Sequence, residues 1–339
     1  MNMMQPYISV LIPTYNCEKL ISRTIDSLLD NTLISFCELI FCDDGSTDNT
    51  LQILQNYKLE LEKKVQSFTI ISNGQNLGVA VTRQKLLDSA CGKYIIFVDA
   101  DDWVESLYLE KLFHVAEDET ADVLVCNLSM VYATSSKIIE EQPSPDNILA
   151  LKQLLREEIH GYLVVKLINL LFLRENSISF ASHFNYLEDL VFTLKVYSKA
   201  KKITSIQDVL YYYDRTNANA ITASLTDSKI QDFKKALTEI KRYLIEKELF
   251  NELEEDFFLQ EKKLFFNILT RSSFQQKLKY SDFLSNKKNI LFDKRINPCF
   301  HNRLVLFCFA NKLSFVGILI QSIFKVGHKV REKIGVSHV

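Results

Sequence analysis

Four times in its first hundred residues the sequence runs a short apolar segment into a polar turn. The segments are Tyr7 to Pro13, Phe36 to Cys42, Ser67 to Ser72 and Tyr94 to Val98. Helical patterns over about residues 18–29, 48–57 and 79–90 separate them. Parallel strands need a long return path, so strands alternating with helices specify a parallel sheet with right-handed crossovers. Ile95-Ile96-Phe97-Val98 carries no polar side chain, as a strand covered on both faces requires. The four turns then converge on one sheet edge, where open α/β sheets bind ligands. The fold class expected is α/β: a Rossmann-like, mostly parallel sheet flanked by helices.

The rest of the chain is less regular. Residues 122–126 read as a strand, and 140–147, with Pro143 and Pro145, as a surface loop. Residues 162–172 and 190–200 read as helices, and 203–205 and 209–213 as short strands. From about residue 226 glycine and proline nearly vanish, which predicts a helical C-terminal extension over 226–339 behind a domain of 1–225. A chain of 339 residues has ample core for this arrangement.

Bulk properties exclude several classes. A net charge of -2 supplies no field for nucleic acid, so none is expected as a partner. The seven cysteines are scattered, with no Cys-x-x-Cys or Cys/His spacing, and read as reduced thiols. The N-terminus lacks the basic and apolar regions of a signal peptide. No run reaches the roughly 20 apolar residues that span a bilayer. The expected location is cytoplasmic, with a peripheral attachment considered below.

Chemistry concentrates in the strand-end turns. Phe97-Val98-Asp99-Ala100-Asp101-Asp102-Trp103 places three carboxylates at the exit of a buried strand. Crowded carboxylates repel unless a cation joins them. Mg²⁺ or Mn²⁺ takes such oxygens and shares them with substrate phosphates. An acidic turn capping the next helix is the simpler alternative. Asp43-Asp44-Gly45-Ser46 ends the second segment. Its serine suits a helix cap, whereas two acids before a glycine suit hydrogen bonding to a base or ribose. Pro13-Thr14-Tyr15-Asn16 ends the first, with Tyr15 able to stack on a base and Asn16 able to cap. The third turn, Asn73 to Gly78, contains Asn76 and precedes Arg83. It is either a phosphate cradle with a counter-charge or a loop beside a surface arginine. Later, Glu188-Asp189 opens a helix. Acids there complement the dipole, and one of them could equally deprotonate an attacking hydroxyl. No G-x-G-x-x-G, P-loop or G-x-S-x-G element occurs, which disfavours dehydrogenases, P-loop enzymes and serine hydrolases.

These residues resemble the family 2 glycosyltransferases of the GT-A fold, in particular members of bacterial polysaccharide assembly. The resemblance rests on I-S-V-L-I-P-T-Y-N from Ile8, C-D-D-G-S-T-D-N-T from Cys42, N-L-G-V-A-V-T-R from Asn76 and F-V-D-A-D-D-W from Phe97. V-K-L from Val165, L-E-D-L from Leu187 and Y-Y-Y-D-R from Tyr211 continue it. It covers about residues 6–225 and implies a nucleotide-sugar half (1–110) and an acceptor half (111–225). It implies inverting transfer from a nucleotide-diphosphate donor, a UDP-sugar, to a hydroxyl of a saccharide or lipid-linked saccharide acceptor. Pro13, Thr14, Tyr15, Asp43, Asp44, Asn76, Gly78, Arg83, Asp99, Ala100 and Asp101 would form the donor site. Asp101, with Asp99, would hold Mn²⁺ or Mg²⁺. Asp189 would be the base, with Glu188 as the alternative. Asp102, Trp103, Lys166 and Arg215 would line the acceptor side of the cleft. One departure is Gln84, where the family usually has Asn after the arginine.

Two other readings stay open. A nucleotidyltransferase would need a Gly-rich, Arg-containing loop, which residues 10–20 lack. A non-catalytic component of a polysaccharide-synthesis complex would leave Glu188 and Asp189 remote from the strand ends. At the C-terminus, the apolar runs 304–310 and 313–320 precede Lys325, Lys329, Arg331 and Lys333. They read either as a basic interfacial helix for a membrane surface or as a packing element.

Overall fold

The computed structural model describes residues 5–216, 225–280 and 282–320. The chain divides into two compact units, Met1–Ala223 and Ser224–Val339.

The first unit opens with β1 (Ile8–Thr14), α1 (Ile21–Leu29), β2 (Cys37–Asp43), α2 (Thr50–Lys64), β3 (Ser67–Ser72), α3 (Val79–Ser89) and β4 (Tyr94–Phe97). The four strands lie in the order β3-β2-β1-β4 and are all parallel. Their carboxyl ends therefore share one edge. β1, β2 and β4 are almost wholly buried, as strands with helices on both faces must be. β3 closes the sheet and alternates exposed with half-buried residues.

The chain continues through β5 (Trp103–Val104), α4 (Tyr108–Glu119), β6 (Val123–Val131), β7 (Ser136–Ile139), α5 (Asn147–Leu155), β8 (Lys166–Asn169), α6 (Leu170–Glu175), α7 (Glu188–Lys199) and β9 (Ile203–Asp214). The sheet extends from β4 as β8-β6-β9-β5, with β7 on β6. This half is mixed: β6 and β9 are parallel, while β8, β7 and β5 pair antiparallel.

Three expectations change here. Residues 162–172 are not one helix. Lys166–Asn169 slots as β8 between β4 and β6, and Asn169 then caps α6 by accepting from the Phe172 amide. Two open strand edges override the local pattern. The two short strands at 203–213 are one, β9, with register shifts opposite Val125 to Leu128. The 140–147 loop is not wholly at the surface, because Glu141 is fully buried.

The second unit is helical: α8 (Asp227–Glu246), α9 (Phe250–Arg271), α10 (Phe274–Lys279) and α11 (Phe300–Ala310). Thr226 caps α8 by accepting from the Lys229 amide. α8 packs on α9 and α9 on α11. Residues 314–320 are helical too. Lys325, Lys329, Arg331 and Lys333 lie outside the described residues.

Candidate active site

The turns after β1, β2 and β3 are laced together. The Asp44 amide donates to the Thr14 carbonyl (2.9 Å). Asn16, held at φ 47°, donates its amide to the Ser46 hydroxyl and accepts from the Thr47 amide (3.0 and 2.8 Å). Asp43 accepts from the Ser46 amide at 3.1 Å. The buried Asp44 carboxylate accepts from the Leu77 and Gly78 amides (2.8 and 2.9 Å) and the Asn73 side chain (2.8 Å). It thus builds the third turn from its own. Gly45 is required, because a Cβ there would sit 2.4 Å from the Gln75 backbone at φ +73°. Pro13 and Thr14 end β1, whereas Tyr15 (48% exposed) and Asn76 face solvent.

The acidic turn after β4 is clamped from two sides. From α1, Arg23 donates to the Asp101 carbonyl (2.5 Å) and the Asp214 carboxylate (2.6 Å). The neighbouring Thr24 hydroxyl bonds the Ala100 and Asp102 carbonyls (3.0 and 2.7 Å). From β9, the Tyr211 hydroxyl donates to Asp102 (2.6 Å) and accepts from the Asp99 amide (3.1 Å). The Asp214 amide donates to the other Asp102 oxygen (2.7 Å). Asp102 is therefore a fully buried strut, and not a residue lining the acceptor side of the cleft. Burial first, then the charges of Asp101 and Asp99, push its carboxyl well above the usual range. Trp103 is sandwiched between the Tyr212 ring (5.3 Å, 1°) and the Arg23 guanidinium (4.1 Å).

With Asp102 turned inward, Asp99 and Asp101 remain as half-exposed carboxylates at this edge. One or two carboxylates are what the protein usually offers a hard ion that also binds substrate phosphates. Among the described residues no group of three metal-ligating side chains forms a dedicated cage. Two carboxylates, Asp99 and Asp101, would leave the rest of such an ion's shell to substrate oxygens.

Arg83 joins this edge to α7. Its buried guanidinium bonds Asp99 at 3.0 Å and also Glu188. Its charge is taken up by carboxylates of the protein, where the sequence suggested a counter-ion for phosphates. Leu187, the residue before α7, is a non-glycine residue at φ 69°, a costly conformation that sets Glu188 and Asp189 in the first helical turn. Burial drives Glu188 up to about 8 against the pull of Arg83. Burial also raises Asp189, again opposed by Arg83. Glu188 is committed to Arg83. The hydrogen bond of Asp189 comes from the adjacent Leu190 amide (2.7 Å), which leaves its second oxygen able to take a proton.

Lys166 does not line an open cleft. It is fully buried, and its ammonium donates to the His160 and Tyr162 carbonyls (2.9 and 2.7 Å). Burial lowers its pKa, while Glu141 and Asp189 oppose the shift. Arg215 is exposed at the end of β9, its guanidinium 5.7 Å from the Tyr213 ring. Sequence reasoning missed Arg23, Thr24, Glu141 and Asn185. Asn185 accepts from the Ala80 amide (3.2 Å) and fills the space beside Gly78. None of the four carried a local signal, since their partners lie 19 to 191 residues away.

Comparison with known proteins points to a family and a fold. Residues 9–164 match the family model for glycosyl transferase family 2. The poly(ribitol-phosphate) beta-glucosyltransferase of Bacillus spizizenii is 34% identical over 208 residues, 61% of this chain and 32% of that protein. The crystal structure of Staphylococcus aureus TarS superimposes with a TM-score of 0.63 at 22% identity, covering 91% of this chain and 53% of that one. TarS 1-349 is also known in complex with UDP-GlcNAc (TM-score 0.59, 19% identity, 91% and 92% covered). The mannosyltransferase PcManGT of Pyrobaculum calidifontis, in complex with GDP-Man and Mn²⁺, gives 0.51 at 14% identity, with 91% and 87% covered. The chain spans about a third of the Bacillus spizizenii relative's length. The architecture is that of the GT-A glycosyltransferase structures, and residues 9–164 are similar to glycosyl transferase family 2.

Proposed function

We propose that this chain transfers a sugar, with inversion, from a UDP-sugar to a hydroxyl of a saccharide or lipid-linked saccharide in bacterial surface-polymer assembly. The observation that carries the reading is the Asp99–Arg83–Glu188 bridge. It brings the acid turn at the sheet edge and the helix bearing Asp189 to one guanidinium. A non-catalytic component had no need of that convergence. The relatives support a nucleotide-sugar donor, since TarS is known with UDP-GlcNAc and PcManGT with GDP-Man.

In this reading Thr14, Tyr15 and the Asp43–Asp44 turn receive the base, with Tyr15 free to stack. The glycine-bearing turn at Asn76 and Gly78 lies beside them. Asp101, with Asp99, holds Mn²⁺ or Mg²⁺, which when bound neutralises charge on the leaving diphosphate. Asp189 takes the proton of the attacking hydroxyl, and burial, opposed by Arg83, raises its proton affinity. Arg83 keeps Asp99 and Glu188 from repelling one another.

The test is UDP release from UDP-glucose and UDP-GlcNAc with an acceptor panel. Activity should need added Mn²⁺ or Mg²⁺, and full turnover in excess chelator would sink the metal assignment. Asp189→Asn should bind donor yet lose about 10²-fold or more in transfer. If Glu188→Gln is the inactive variant instead, the base is Glu188.

We further propose peripheral attachment to the cytoplasmic face of the membrane through the C-terminal region. Leu313, Phe315, Val316 and Leu319 are exposed, and among the described residues no helix is long and apolar enough to cross a bilayer. Truncation at about residue 298 should abolish sedimentation with anionic vesicles. Unchanged sedimentation would count against attachment.

A further inference from the structure

The attachment proposed above names a region of the chain but no contact surface. Two phenylalanines of the helical unit supply one. Phe292 is 82% exposed and Phe300 is 55% exposed. A single exposed phenylalanine is ordinary on a protein surface. These two are joined through one buried side chain. Arg303 of α11 donates to the carbonyl of Leu291, the residue before Phe292 (2.8 Å), and its guanidinium lies 5.7 Å from the Phe300 ring. We infer that Phe292 and Phe300, with the basic side chains around them, form the surface that enters an anionic lipid headgroup layer. This deepens the attachment proposed above and rests on it.

The turn that carries Phe292 is firmly built. Ile290 and Ile296 are buried on either side of it. The Phe292 and Asp293 amides both donate to the Asn289 carbonyl (3.2 and 3.0 Å), and the Ile296 amide donates to the Asp293 carbonyl (3.2 Å). Arg303 also donates to the Asn297 carbonyl and to the Pro298 carbonyl (2.9 Å). The ring is therefore presented on an ordered backbone, so its insertion costs little further chain entropy.

Charge selects the occupant. Residues 285–300 hold four basic residues and one acid. Lys287, Lys288, Lys294 and Arg295 are all exposed. The acid, Asp293, is taken up by Arg295 through two bonds (2.9 and 2.8 Å). This segment is thus positive although the whole chain carries -2. Each lysine close to an anionic membrane adds to binding within a Debye length. Aromatic rings favour the headgroup level, and an apolar anchor beside a basic cluster combines the two forces that hold a peripheral protein. A protein partner suits this surface less well. Interface cores are depleted in lysine, whereas a fluid headgroup layer can close around separate rings and leave the ammonium groups at the phosphates.

The experiment uses the full chain and two readouts. The first is sedimentation with phosphatidylcholine vesicles, with and without phosphatidylglycerol. Wild type should bind the anionic vesicles, lose binding as salt rises, and leave the zwitterionic ones. Phe292→Ser should weaken binding about tenfold, and so should Phe300→Ser, the loss of one inserted ring each. Phe292→Trp should bind at least as well as wild type. Replacing Lys287, Lys288 and Lys294 together by Gln should weaken binding about 100-fold. The second readout is an environment-sensitive fluorophore on Cys299, which is exposed and precedes Phe300, in a Cys91→Ser background that leaves the other five cysteines buried. Its emission should shift to the blue on anionic vesicles and be quenched by nitroxide-bearing lipid.

The surface is overturned if both Ser variants sediment like wild type, if the triple Gln variant does, or if the label on vesicle-bound protein reports water. It is also overturned if the Ser variants change the oligomeric state in lipid-free solution, which would make this face a contact between copies. Sedimentation lost on truncation at about residue 298 but kept in the Phe and Lys variants would uphold attachment and refute this surface. A wild-type chain that leaves anionic vesicles unbound would refute both.

Discussion

Replacing Asp102 separates the strut from the two acids, Asp99 and Asp101, that we propose hold the metal. Its two oxygens accept from the Tyr211 hydroxyl and the Asp214 amide, and it has no exposed surface. Asp102→Ala leaves both donors without a partner, at about 1–3 kcal/mol each. It also relieves the repulsion from Asp99 and Asp101, which works in the opposite direction. Burying two unpaired donors outweighs that relief, and the net loss should be about 2–4 kcal/mol. For a unit of this size that lowers the melting temperature by roughly 5–15 °C. Asp102→Asn keeps one acceptor oxygen but turns an NH₂ on the other donor, so about half the loss is expected. The assay pairs thermal melting with a Mn²⁺ titration of transfer. Asp102→Asn should keep the wild-type Mn²⁺ dependence, whereas Asp101→Asn should lose it at unchanged stability. If Asp102→Ala melts within about 2 °C of wild type while losing transfer, Asp102 acts in the cleft and the strut argument fails.

The pH profile follows from the buried acids. The Glu188 carboxyl binds its proton more tightly folded than unfolded, so the stability it contributes is full below about 4.5 and is lost as pH rises towards about 8. Asp48, Glu117 and Asp214 are lowered instead, and their contribution is lost in acid below about 4. Stability should peak near about pH 5. Glu188→Gln should flatten the fall between pH 5 and 8 in melting experiments, and an unchanged slope would remove Glu188 as its source. Arg83→Met should cost about 3–5 kcal/mol by leaving Asp99 and Glu188 facing each other. Equal denaturant midpoints for variant and wild type would show that the bridge is not structural. Gly78→Ala forces a side chain onto φ 94°, ψ 155°, a region essentially reserved for glycine. It should lose about 1–3 kcal/mol and raise donor KM, both measurable on one preparation.

The first half of the fold was legible because each strand and turn is written in consecutive residues. Ile95 to Val98 needs no partner to declare itself buried, and Asp43-Asp44-Gly45 announces a turn. β8 was not legible. Four residues preceded by Leu163-Val164-Val165 read as helix until two open strand edges claim them. The acids of the site divide in the same way. Nothing in Asp99-Ala100-Asp101-Asp102 tells the third acid from the other two. Only β9, more than a hundred residues later, turns Asp102 inward through Tyr211 and Asp214. Arg83 read as a counter-ion for phosphate because its carboxylate partners are 16 and 105 residues away. Glu141 looked like loop surface beside two prolines, and its partner His160 is 19 residues away.

The lacing of the strand-end turns bears on how this scaffold can diversify. Asp44 belongs to one turn yet supplies the hydrogen bonds of the next. Asn16 serves the turn after β2, and Asn185, from a distant segment, fills the space beside Gly78. No turn can be exchanged as a cassette, because each carries bonds that a neighbour depends on. Changes in donor preference must therefore come as single side-chain substitutions on a fixed backbone. Insertions would be tolerated away from these turns, in stretches where no neighbouring loop draws its support.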